Sequence, residues 1–119
     1  MSDTLRYDLR LRLFRGDKCF GPGVAELLHG VEQRGSIRAA CREMGMAYSK
    51  AWKILKRAEE DLGFALLVRE AGGSGGGNAV LTPEGRDFLR RYDAFTHAVQ
   101  READRLYAAY FDDLGEDLL

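Results

Sequence analysis

The chain has 119 residues, 45% of them hydrophobic and 31% charged, with a formal net charge of −1. That is the size and make-up of one globular domain rather than a disordered tail. No apolar run reaches the roughly 20 residues of a membrane helix, and the charged opening "MSDTLRYDLRLRLFRG" is no signal peptide, so the expected compartment is the cytoplasm, without a membrane partner.

Residues 5–13, "LRYDLRLRL", alternate: Leu5, Tyr7, Leu9, Leu11 and Leu13 fall on one side, Arg6, Asp8, Arg10 and Arg12 on the other. Period two predicts a half-buried antiparallel strand with a solvated arginine face. "GPG" at 21–23 opens a helix whose Val24, Leu27, Leu28 and Val31 form one apolar stripe, and Gly35 is placed to end it in the left-handed conformation. Ser36 offers a capping oxygen to a second helix, which turns Ile37, Ala40, Cys41 and Met44 inward and Arg38 and Arg42 outward before Gly45. A third helix starts near Ala47 and runs to Leu62. Ala51, Ile54, Leu55, Ala58 and Leu62 face inward; Ser49, Lys50, Lys53, Lys56 and Arg57, with Tyr48 and Trp52 among them, face out. Ala47 has no capping oxygen, a deficit of about 1 kcal/mol.

The near-zero net charge hides an uneven distribution. Residues 34–57 carry seven basic side chains against one acid, Glu43, a local +6, whereas from residue 71 onward five arginines face nine acids. A basic block inside a nearly neutral chain is the footprint of a polyanionic partner. Two short helices around a glycine turn, the second studded with basic and hydrogen-bonding side chains, make a helix-turn-helix; the major groove admits one such helix.

"FALLVRE" and "AVL" at 79–81 read as two strands joined by the glycine-rich loop 71–78. The loop lacks the Gly-Lys-Ser/Thr ending of a phosphate-binding loop and is followed by a strand, which excludes a dinucleotide fingerprint. A hairpin directly after a helix-turn-helix is a wing, whose glycines let the backbone approach phosphates closely. Next, "LTPEG" starts another helix, with Thr82 capping, Pro83 at the first position and Glu84 at the positive end. It continues past residue 105. Phe88, Tyr92, Phe95, Val99, Ala103, Leu106 and Tyr110 step by threes and fours along it, a nearly heptad seam too long for so small a domain to cover, hence a dimerisation helix. The acidic tail "FDDLGEDLL" is expected to fray or to touch another protein.

Catalytic and metal chemistry find no foothold. Cys19 and Cys41 show no C-x-x-C spacing, Cys41 reads as a reduced buried thiol, and His29 and His97 stand apart from any acidic or cysteine cluster. No catalytic residue, metal site or cofactor is expected, and the chain does not read as an enzyme.

The expected fold is therefore mainly α with a small β component: a winged helix-turn-helix over residues 1–82, then a dimerisation helix and acidic tail over 83–119. "GSIRAACREMGMAYSKAWKILKRAEEDLGFALLVRE" followed by "GGSGGGNAVLTPEG" resembles the DNA-binding domain of ModE-type, molybdate-responsive transcription regulators, and more distantly the LysR-type winged helix-turn-helix. The resemblance covers residues 5–92 and implies a homodimer that reads a palindromic operator in double-stranded DNA. It places Tyr48, Ser49 and Lys50 where side chains begin to reach the DNA, and Trp52 where an indole mostly fixes the helix. Ser36, Arg38, Lys53, Lys56 and Arg57, with Ser74, Gly75 and Gly76 of the wing, complete the expected DNA-binding set. Phe88, Tyr92, Phe95, Val99, Leu106 and Tyr110 form the expected dimer interface. Regulators of that type carry oxyanion-binding domains after the dimer helix; no residue here matches them, so molybdate binding by this chain is not expected. A reading from another class is a winged-helix module that dimerises or recruits a protein partner without sequence-specific DNA binding.

Overall fold

The computed structural model describes residues 4–69 and 78–117. In chain order these form β1 (Leu13–Arg15), β2 (Asp17–Phe20), α1 (Pro22–Arg34), α2 (Ile37–Met44), α3 (Tyr48–Leu62), β3 (Leu67–Arg69), β4 (Ala79–Leu81) and α4 (Pro83–Asp117). No helix among the described residues is long and apolar enough to cross a membrane.

The helix boundaries follow the local chemistry. Ser36 Oγ accepts the Ala39 N–H at 3.1 Å, capping α2 as its side chain allows. Gly35 and Gly45 take φ of 72° and 69° at the ends of α1 and α2, where an L side chain would be strained. Ala47 precedes α3 with no side-chain cap. Thr82 Oγ1 accepts the Gly85 N–H at 2.8 Å and donates to the Ala65 carbonyl at 2.6 Å, so one hydroxyl both caps α4 and pins it to the loop before β3.

One core joins α1, α2, α3, the wing strands and the start of α4. Phe20, Leu27, Leu28, Val31, Ile37, Leu55, Leu66 and Leu89 are fully buried there. Each such side chain contributes about 1.5–3 kcal/mol of transfer free energy. α1 and α2 cross closely because a small residue stands on each side: a Cβ at Gly30 would lie 2.7 Å from the Ala40 Cβ. Both cysteines are buried and unpaired, and burial pushes the Cys41 thiol pKa up.

β3 and β4 pair antiparallel in the register Leu67 with Leu81, Val68 with Val80 and Arg69 with Ala79. The wing is anchored to the helix-turn-helix by a bridge between Ser36 and Asn78 and by the Ala79 N–H donating to the Gly35 carbonyl at 3.1 Å. The wing tip at residues 70–77 lies outside the described residues, and with it Ser74, Gly75 and Gly76.

Three expectations need correction. The strand expected over residues 5–13 is absent; the hairpin is β1–β2, turning at Gly16, and only Leu13 of the alternating run belongs to a strand. Its alternation survives without a ladder: Tyr7, Leu9 and Leu11 are half-buried and the intervening charges exposed. This arm lies along α4 and spends its polar groups there, Leu11 O accepting from Tyr92 Oη at 2.8 Å and Tyr7 Oη bonding Asp104. Residues 111–117 of the tail, expected to fray or to touch another protein, are helical, α4 continuing to Asp117. Finally, His29 is not isolated from acids: its Nε2 is 2.8 Å from Asp93 of α4 and its Nδ1 is 3.7 Å from Glu32. Asp93 is distant in sequence, so local spacing could not reveal that neighbour.

Candidate nucleic-acid interface

α2 and α3 carry the exposed part of the basic block. Ser49, Lys50, Lys53 and Lys56 are exposed on α3, because Ala51, Leu55, Ala58 and Leu62 take the opposite, buried side. Among the described residues none of the three lysines, nor Arg38 and Arg42 of α2, has a carboxylate partner. Most arginines of α1 and α4 are paired, Arg34 with Glu43, Arg86 and Arg90 with Glu32, Arg91 with Asp87 and Arg105 with Glu102, while Arg6, Arg12 and Arg101 are scattered cations without a carboxylate among the described residues. A face of cations without internal counter-ions is primed to exchange its mobile counter-ions for a polyanion.

A second group borders that face at the root of the wing. The Arg38 guanidinium stacks over the Tyr48 ring, with 4.1 Å from Cζ to centroid, and the Arg69 guanidinium over the Trp52 ring at 4.6 Å. Arg69 Nη2 also donates to Tyr48 Oη at 3.0 Å, and the rings of Tyr48 and Trp52 meet edge-on at 6.3 Å. A hydrogen bond from Trp52, with the charge and hydrogen bond of Arg69 and the charge of Arg38, holds the Tyr48 hydroxyl pKa below its ordinary value against partial burial. The aromatic pair thus seats two arginines and links α2, α3 and β3 into one surface. Arg69 is a member that sequence reasoning missed. The available signal was its position at the end of "LLVR", directly before the glycine-rich tip, where a wing strand meets the recognition helix.

The expected residues do not all stand together. Ser36, Arg38, Tyr48, Ser49, Lys50, Lys53 and Lys56 come from the paired helices as expected. Arg57 turns toward the β1–β2 hairpin, with Nη2 2.5 Å from Asp17 and Nε 3.9 Å from Asp61. Of the seam, Phe88 packs edge-on against Phe20 at 4.8 Å and Tyr92 is buried against the same ring, so both serve their own core. Beyond them Phe95, Leu106 and Tyr110 are exposed on α4, Val99 is half-buried, and Phe111 and Leu114 extend the apolar surface.

A helix-turn-helix with a basic outer face, braced by a wing, defines a class: DNA-binding regulators. Residues 25–86 match the family model described as "Bacterial regulatory helix-turn-helix protein, lysR family", and the chain belongs to that family. It is a family of regulators, not of enzymes. The chain is 30% identical over 103 residues to the DNA-binding transcriptional dual regulator ModE of Escherichia coli K12, covering 86% of this chain and 39% of that protein. It is 36% identical over 75 residues to the molybdenum-pterin-binding protein MopB of Rhodobacter capsulatus, covering 63% of this chain and 28% of the relative. The chain therefore spans well under half the length of these relatives. Among solved structures, the DNA-binding domain of CbnR in complex with DNA superposes with a TM-score of 0.59 at 25% identity, over 73% of this chain and 94% of that one.

Proposed function

We propose that the protein acts as a homodimer that binds a palindromic operator sequence-specifically, in the control of molybdenum-related genes. The observation that carries the reading is the unpaired basic face of α2 and α3, continuous with the arginine–aromatic group at the wing root. In it, Lys50, Lys53 and Lys56 supply phosphate contacts, the first turns of α3 read base edges in the major groove, and Ser36, Arg38 and Arg69 fix the register on the backbone. The exposed part of α4 from Phe95 to Leu114 supplies the contact with a second copy, bringing two recognition helices to half-sites one helical turn apart. The molybdenum assignment rests on the names of the ModE relatives.

Selection of bound fragments from sheared genomic DNA by the purified protein tests this reading. A single inverted-repeat motif, adjacent to genes for molybdenum uptake or use, is the expected result. Binding without a motif overturns sequence specificity, and a motif lacking two-fold symmetry overturns the homodimeric arrangement.

A further inference from the structure

A groove of about 290 Å³ opens between the start of α1 and the flank of α3. Its floor is apolar, made by Val24, Met46 and Ile54 over the buried Phe20, and its rim carries Lys50 and Arg57. Val24, Met46 and Ile54 are only half-buried, so packing within the chain does not use up this surface. Lys50 has no anionic partner among the described residues, and Arg57 is shared with Asp17 and Asp61. The amides of the first α1 turn, which follow Gly21 without a side-chain cap, border the same groove. A phosphate of DNA has no apolar body to lay on that floor, and a purely apolar molecule leaves the Lys50 charge without a counter-ion. An occupant that satisfies both must be amphipathic.

We propose that this groove binds a small amphipathic organic anion, an aromatic or short-chain carboxylate or its sulfonate equivalent. Its apolar body lies on Val24, Met46 and Ile54, and its acid group meets Lys50. Because Lys50 also belongs to the basic face, the bound anion competes with DNA phosphate for that ammonium. The competition rests on the DNA-binding reading above; the binding itself does not.

The probe is anilinonaphthalene sulfonate, with neutral phenylnaphthylamine as control. The sulfonate is expected to bind saturably to the full chain and to move the NMR amide signals of Gly21, Gly23, Val24 and Lys50. Val24→Asp places a carboxylate in the groove at a helix position that favours acids. In the folded variant it is expected to weaken sulfonate binding at least tenfold, and the neutral control is expected to bind several-fold more weakly than the sulfonate. Absence of saturable binding overturns the proposal, as do shifts confined to the exposed α4 residues Phe95, Leu106 and Tyr110. Equal binding of the neutral control overturns the anion preference. The shift map uses the parent chain, so it decides even where Val24→Asp fails to fold. Groove shifts with unaltered DNA affinity overturn the competition alone. Failure of the ligand-free protein to bind DNA overturns the DNA-binding reading and leaves the site standing.

Discussion

At the scale of single residues, Glu59 shows how one carboxylate shapes the approach to the wing. Its Oε2 accepts the Leu66 N–H at 2.7 Å and the Leu67 N–H at 3.3 Å, satisfying two amides in the turn that feeds β3. Glu59→Ala is expected to destabilise the fold by about 1–3 kcal/mol, the range for a charged hydrogen-bond acceptor, with partial rescue by Glu59→Gln. Chemical denaturation of both variants checks this; equal stability of the parent and the alanine variant would contradict it. Ala47 offers a change in the other direction. It sits in extended backbone with φ −66° and ψ 139° and gives no cap to α3. Ala47→Ser is expected to raise stability by about 0.5–2 kcal/mol in the same measurement. Lys50 and Ala47 were legible as residues, because helical period and capping preference are local. Arg69 and the Asp93 neighbour of His29 were not, because a stacking or ion-pair partner is chosen by how elements pack.

At the scale of elements, the contact of α1 with α4 is a polar staple. Arg90 reaches both oxygens of Glu32, at 3.3 and 2.9 Å, Arg86 is 3.7 Å away, and His29 touches Asp93. The hydrogen bond from Arg90, reinforced by the charges of Arg90, His29 and Arg86, holds the Glu32 carboxyl below its ordinary range although partial burial pushes it up. A carboxyl depressed in the folded state stabilises the fold above its unfolded pKa, and that stabilisation is lost as pH falls through the folded value. Glu32→Gln is therefore expected to melt earlier than the parent at neutral pH, by about 1 kcal/mol or less for a solvent-screened group. The gap should close below the ordinary glutamate range of about 4.3. A gap that persists in acid would assign the effect to shape, not charge. The helices themselves were legible from apolar spacing and from their stop signals. The first strand was not, since period two records which side chains turn inward but not whether a neighbouring strand is there. Here α4 took that place, with Tyr92 and Asp104 bonding the arm. The junction of α4 with the wing is tighter still. A Cβ at Gly85 would run into the Leu66 carbonyl oxygen, so Gly85→Ala is expected to disrupt docking of α4 and lower the melting temperature.

At the scale of the whole molecule, α4 decides the shape. Its 35 residues span about 50 Å at 1.5 Å per residue, and the molecule measures 59 × 31 × 22 Å. The first turns complete the core through Leu89 and Tyr92, and the remainder projects with Phe95, Leu106 and Tyr110 uncovered. Such a surface calls for a partner, and a second copy covers it in the proposed dimer. Leu106→Glu with Tyr110→Glu is expected to yield a folded monomer by sedimentation, with much weaker operator binding. The basic side chains stand on α2 and α3 and the exposed apolar ones on α4, so the two are varied independently. The most direct test of DNA recognition through the unpaired lysines is the affinity for a selected operator fragment as a function of salt, for the parent and for Lys50→Ala and Lys53→Ala. Binding is expected to fall steeply as salt rises, with each folded variant several-fold weaker and its logarithmic slope shallower by about one per lost phosphate contact. Salt-independent binding, or folded variants with the affinity and slope of the parent, would contradict the assignment of this face to DNA.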